Sequence, residues 1–147
     1  MTGELTGGCQ CGRIRYRIAC EGAQAYLCHC RMCQRATGGF AAALVEVTAG
    51  GLEWETEPEW FASSPIARRP FCAHCGTPLG FSYTDGTGQD VTLGSLDDPN
   101  GFVPVAHFGT EHLNPAWIAL EHLPWHRTGE VGSIGKRWKD AGLDIPE

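Results

Sequence analysis

The sequence predicts a single, mainly β domain of antiparallel sheets with little helix. Three observations carry that expectation. Residues 13–18 read R-I-R-Y-R-I, with Ile14, Tyr16 and Ile18 on one face and three arginines on the other, the period of a half-buried strand. The 147 residues hold 20 glycines and 9 prolines, which cut the chain into short runs with few helix-friendly stretches. Seven of the eight cysteines fall into three tight groups, the pattern of ligands placed at strand ends and turns.

The elements follow in order. A-Y-L at residues 25–27 is an apolar stretch leading into the densest cysteine group. R-M-C-Q-R-A-T-G-G reads as a short helical turn from Arg31, stopped by Gly38 and Gly39. Residues 40–47 read as a buried strand, Gly50-Gly51 as a turn, L-E-W-E-T as the next strand and E-W-F-A-S as another. P-L-G-F-S-Y-T and Q-D-V-T-L-G-S-L, joined by D-G-T-G, read as two strands and their turn. In D-D-P-N-G, Asp97 and Asp98 are expected to bond their own backbone. Residues 102–108 read as an edge strand, because Pro104 cannot donate to a ladder. S-I-G-K-R-W-K-D-A-G reads as a short helix near the end. Trp54, Trp60, Phe71, Phe81 and Tyr83 are expected in the core, and Trp117 and Trp125 on loops that could line a pocket.

Composition bounds the function. Apolar content of 42% and charged content of 19% suit a globular chain and exclude disorder. A net charge of −6 without a block of like charge argues against a nucleic-acid partner. The N-terminus lacks the basic and apolar regions of a signal peptide, and no apolar run approaches the ~18 residues of a membrane span. A cytoplasmic location is therefore expected, where clustered thiols favour metal over disulfides. Arg13, Arg15, Arg17, Arg31, Arg35, Arg68 and Arg69 all lie in the first half, whereas residues 70–126 contain no Lys or Arg and five of the six histidines. The arginines read either as solvated strand faces or as a positive rim for an anionic small molecule.

The cysteines carry the chemistry. In F-C-A-H-C-G-T-P-L, Cys72 and Cys75 form a zinc knuckle, in which a tight turn aims two thiolates at one ion and Gly76 lets the backbone curl around the sulfurs. A redox C-x-x-C would open a helix, which Gly-Thr-Pro disfavours. Cys9-x-Cys11, set between Gly7-Gly8 and Gly12, offers the two ligands the knuckle lacks. Cys28, Cys30 and Cys33 then remain, and three protein ligands with one exchangeable position are the usual form of a catalytic zinc. Three thiolates on Zn²⁺ suit exchange of water for another thiol better than activation of water. Other pairings stay open: Cys20 could close the second site or be a small buried hydrophobe, an iron–sulfur cluster would want a fourth cysteine, and His29 could ligate or support from behind.

G-G-C-Q-C-G-R-I-R-Y, L-C-H-C-R-M-C-Q-R-A-T-G, F-C-A-H-C-G-T-P-L and D-V-T-L-G-S-L-D-D-P together resemble the GFA family, the glutathione-dependent formaldehyde-activating enzymes with a CENP-V/GFA domain. The resemblance runs from about Gly7 to about His107. It implies a β-tent fold in a single domain spanning residues 1–147, and two zincs per chain. Cys9, Cys11, Cys72 and Cys75 would form the structural site, and Cys28, Cys30 and Cys33 the labile, catalytic one. The implied activity is that of a carbon–sulfur lyase, joining a thiol such as glutathione to a small aldehyde such as formaldehyde, or releasing it. His29 and His107 are the candidate proton donors, and Arg31 and Arg35 could steer glutathione carboxylates. Where many members carry an aromatic residue in a T-E-S stretch, this chain has Gly109, Thr110, Glu111 and His112. The alternative is a non-catalytic zinc protein that carries a thiol, or a protein-interaction module.

Overall fold

A computed structural model describes residues 3–145. The chain parts into two compact units, Met1–Leu113 and Asn114–Glu147, at a point where the sequence shows no linker. The fold is mainly β.

The first unit holds two sheets. Strands β1 (Glu4–Gly8), β2 (Arg15–Ala19) and β5 (Leu52–Trp54) form a three-stranded antiparallel sheet with β2 in the centre. The larger sheet runs β10-β3-β4-β9-β8-β7-β6. Its strands are β3 (Gln24–Cys28), β4 (Ala42–Val47), β6 (Glu59–Ser64), β7 (Ala67–Phe71), β8 (Gly80–Tyr83), β9 (Gln89–Thr92) and β10 (His107–Phe108). Helix α1 (Arg31–Thr37) connects β3 to β4 and ends on Gly38, whose N–H closes back on the Gln34 carbonyl.

The alternation in residues 13–18 is what builds the core. Ile14, Tyr16 and Ile18 are fully buried, and they meet Val45, Val91 and Leu79 of the larger sheet's side. Burial of each such side chain contributes about 1.5–3 kcal/mol before the entropy of ordering is counted. The Tyr16 hydroxyl remains satisfied inside, 2.7 Å from Ser95 Oγ, and its ring meets Trp54 edge-on. Arg13, in the bend before β2, pairs with Glu59, and Arg15 and Arg17 on the strand's other face pair with Asp97 and Glu55, so these arginines are solvated surface residues.

Three expectations are corrected. The strand expected over residues 102–108 is reduced to His107–Phe108, and it pairs with β3 in parallel, the one parallel pairing in an otherwise antiparallel sheet. Pro104 cannot donate to the ladder, and the segment joins β3 through the Val105 N–H on Ala25 O at 2.9 Å, the Leu27 N–H on Ala106 O at 3.0 Å and the His29 N–H on Phe108 O at 2.8 Å. Asp97 does not bond its own turn; it accepts from Thr6 and Arg15, while Asp98 behaves as expected and accepts the Asn100 N–H at 3.0 Å. Of the five aromatics expected in the core, Trp54 packs against it, whereas Trp60, Phe71 and Phe81 are partly exposed and Tyr83 is exposed; Phe81 and Tyr83 stack edge-to-face, 4.9 Å between centroids.

The second unit is built of short 3₁₀ turns and helix α2 (Gly132–Asp140), in the place expected. Its Trp125 is 87% exposed. No helix among the described residues is long and apolar enough to cross a membrane.

Candidate metal centre

Two loops from different sheets make the first cluster. After β1 the chain turns through Cys9 and Cys11, with the Gly12 N–H on Cys9 O at 2.9 Å and the Ile14 N–H on Cys9 Sγ at 3.2 Å. After β7 the knuckle closes with the Gly76 N–H on Cys72 O at 2.8 Å. Gly76 takes φ 79°, a left-handed turn that a side chain would strain. The four Sγ atoms of Cys9, Cys11, Cys72 and Cys75 lie within 4.8 Å of one another. The Cys9–Cys11 separation is 3.5 Å and the Cys11–Cys72 separation 3.8 Å. A tetrahedral ion with 2.3 Å bonds to sulfur needs edges of about 3.8 Å, so these residues fit zinc.

The loops around this cluster are braced. Thr77 Oγ1 lies 3.1 Å from Cys75 Sγ and also accepts the Gln10 N–H, linking both loops. The Thr77 hydroxyl and backbone hold the Cys75 thiol down at about 5, favouring the thiolate a metal needs. Glu59 on β6 takes Arg13 from the first loop and the Ala73 N–H, at 3.1 Å, from the second.

The second cluster joins the end of β3 to the start of α1. Cys28, Cys30 and Cys33 place their Sγ atoms within 4.8 Å of one another, with no fourth Cys, His, Asp or Glu donor in the group among the described residues. Cys30 caps the helix, its Sγ accepting the Cys33 N–H at 3.4 Å. Cys20 lies buried after β2 and outside both clusters, so it is not the fourth ligand. All eight cysteines are free.

Arg69 and Gly109 complete this site; in the sequence they stood only as one of seven arginines and as part of the segment that departs from the family's T-E-S stretch. Arg69 is 7% exposed, its Nη2 donates to Cys33 Sγ at 3.4 Å, and its Nε has no partner. It packs over the Phe81 ring, 5.2 Å from the centroid. Bonding to Cys28 first, and then the Arg69 guanidinium, hold the Cys33 thiol down at about 5 against its burial. Gly109, at φ 62°, runs so close to Cys30 that a Cβ would come within 2.6 Å of its backbone nitrogen. Of the other arginines, Arg31 bonds Gln34, and Arg35 lines a neighbouring cavity that holds none of the three cysteines.

The two histidines expected as proton donors pair with each other. His29 is fully buried, and its Nε2 lies 2.9 Å from His107 Nδ1. Burial lowers the His29 pKa, and the neighbouring His107 lowers it further. Neither ring lines the cavity of about 380 Å³ onto which all three cysteines open. Its walls are Tyr26, Phe108, Phe81, Tyr83, Met32 and Ile66, with Glu46 as the one carboxylate and Arg69 behind Cys33. The Tyr26 hydroxyl donates to Asp90, and its ring meets Phe108 edge-on at 5.0 Å.

A mainly β unit with one closed and one open thiol cluster, each able to hold a metal ion, is the class of protein that fold and site define. The family model described as glutathione-dependent formaldehyde-activating enzyme matches residues 4–112, and the chain belongs to that family. A Schizosaccharomyces pombe protein described as an uncharacterized lyase is 31% identical over 83 residues, covering 56% of this chain and 61% of the relative. The chain thus spans about three fifths of that relative's length. A solved Rhodobacter sphaeroides protein shares the fold, with a TM-score of 0.54 and 19% identity over 70% of this chain and 99% of its own.

Proposed function

We propose that the protein is a zinc-dependent carbon–sulfur lyase of the formaldehyde-activating type, which adds a thiol to a small aldehyde or releases it. The observation that carries this reading is the cluster of Cys28, Cys30 and Cys33, three thiols without a fourth protein donor among the described residues, opening onto a cavity. The family match and the lyase-named relative support the reaction class. Zinc held by these cysteines would supply a Lewis-acid centre that favours the thiolate form of an incoming thiol.

The chain's own residues supply the rest. Arg69 offsets the negative charge of the three thiolates from within the fold. Phe108 and Phe81 give the cavity apolar walls, and Tyr26, tied to Asp90, keeps its ring fixed among them. The reaction adds S–H across the aldehyde C=O: a carbon–sulfur bond forms, the thiol proton is lost, and the carbonyl oxygen gains a proton. The closed cluster of Cys9, Cys11, Cys72 and Cys75 has no open position, and its role is to join the two sheets.

The test mixes formaldehyde with thiols, glutathione included, and follows hemithioacetal formation. Acceleration over the uncatalysed rate, lost in Cys30→Ser, supports the enzyme. No acceleration with any thiol rejects it. A second reading, a thiol carrier, is favoured by one observation: neither His29 nor His107 lines the cavity that would need a proton donor. Thiol binding without acceleration is its signature.

A further inference from the structure

The cavity above the three cysteines has a chemical character that the family's named thiol does not match. Two edge-to-face aromatic pairs frame it, Tyr26 with Phe108 and Phe81 with Tyr83. Phe108, Met32 and Ile66 are each about half or more exposed, although they face a site for a small molecule. Leaving such side chains wet is costly unless a ligand covers them.

Its charges point the same way. Among the lining residues the cation is Arg69 and the anion is Glu46. Arg69 presents no donor to a ligand: its Nη2 is on Cys33 Sγ, and its unpartnered Nε is itself buried. With a divalent ion bound, three thiolates leave one negative charge, which the guanidinium cancels. No positive charge is left over in the wall, and Glu46 adds a negative one. Glutathione carries a carboxylate at each end and one ammonium beside the glutamyl carboxylate, so it is anionic overall, and its glycyl carboxylate would find no cationic partner in this wall. Desolvating an unpaired carboxylate is unfavourable even at a half-open site.

We infer that this site takes a thiol with an apolar, aromatic body and no carboxylate, in preference to glutathione. The inference rests on the open three-cysteine site proposed above and specifies its substrate class. Ring faces of Phe81 and Phe108 would cover the body, and a neutral or amine-bearing end would lie towards Glu46. The walls then do what the binding of an anionic tripeptide cannot use.

The test is binding to the full-length protein loaded with cobalt in place of zinc, read from the thiolate-to-cobalt absorption bands. The probes are 2-phenylethanethiol and glutathione. The expected result is a dissociation constant for 2-phenylethanethiol at least about tenfold below that for glutathione. Phe81→Ala should weaken phenylethanethiol more than glutathione, and Glu46→Lys should narrow the gap by strengthening glutathione. Near-ultraviolet circular dichroism of the cobalt-loaded variants confirms that each is folded. Glutathione binding as tightly as phenylethanethiol, or more tightly, overturns the inference while leaving the open thiol site standing. Failure of both thiols to perturb the bands that Cys30→Ser abolishes overturns the site reading and the inference together.

Discussion

The Arg69 guanidinium lies 3.4 Å from Cys33 Sγ, inside the protein, with no carboxylate partner among the described residues. A buried cation without an acid is expensive unless something else carries the opposite charge. The Cys33 thiolate, favoured by bonding to Cys28 and by this guanidinium, is that charge. Removing the cation should leave the cluster unbalanced. Arg69→Gln is expected to cost about 3 kcal/mol in urea unfolding of the metal-loaded protein. It should also speed metal loss to a chelator from one of two sites. Arg69→Lys should restore part of the chelator resistance, because it keeps the charge and loses the planar fork.

Gly109 against Cys30 gives a second expectation. A methyl at this position meets backbone at 2.6 Å and forces a left-handed φ on a non-glycine residue. The strain is about 1–2 kcal/mol from the backbone conformation, before the clash is relieved by moving Cys30. Gly109→Ala should therefore raise the chelator-release rate of the three-cysteine site and leave the four-cysteine site unchanged, as followed by a colorimetric chelator in two kinetic phases.

Metal content separates the clusters. The purified protein should carry up to two equivalents of zinc by elemental analysis, with one released readily. Cys30→Ser should lose the labile equivalent and stay folded. Cys72→Ser should lose the fold, since the four-cysteine site joins β1 to β7 and a structural zinc contributes on the order of 10 kcal/mol. One tightly held zinc, insensitive to Cys28, Cys30 and Cys33, would sink the open-site reading.

Asp90 and Asp97 should respond oppositely to pH. Burial pushes the Asp90 carboxyl up to about 6, despite the bond from Tyr26. A raised folded pKa means that the folded state binds more protons, so this contribution is present below about pH 4 and is lost as pH rises through about 6. Bonds from Arg15 and Thr6 hold Asp97 down at about 2, so its contribution is present above about pH 4 and lost as pH falls towards 2. Unfolding midpoints of Asp90→Asn and Asp97→Asn against the unmodified protein should diverge in these separate windows. Asp90→Asn should gain relative stability as pH rises from 4 to 6.

Much of this was legible in the sequence because the signals are local. C-x-x-C-G closes its turn within five residues, and R-I-R-Y-R-I states which face is buried within six. Arg69 was legible in part: successive strand residues face opposite sides, so of Arg68 and Arg69 one must point inward. Arg68 lies over Trp60 at 4.1 Å, and Arg69 is the inward one. The sequence could not say that the inward arginine meets Cys33, because that contact spans a crossing of α1 and β7. Gly109 and Cys30 are likewise joined only by the turn that follows β10. The parallel pairing of β10 was hidden by Pro104, which made the whole segment look like a single edge strand.

By itself the sequence determined the mainly β class and the three tight cysteine groups, because ligand type and spacing are properties of the chain, while the exclusion of Cys20 from the cluster of Cys28, Cys30 and Cys33 came from the fold. Tertiary structure decided what surrounds the open cluster: a buried guanidinium behind Cys33, a glycine pressed against Cys30, and aromatic walls from strands far apart in sequence. The physical reason is that ligation geometry is set by a few bonded neighbours, whereas the charge and polarity of a cavity are sums over residues that only folding brings together.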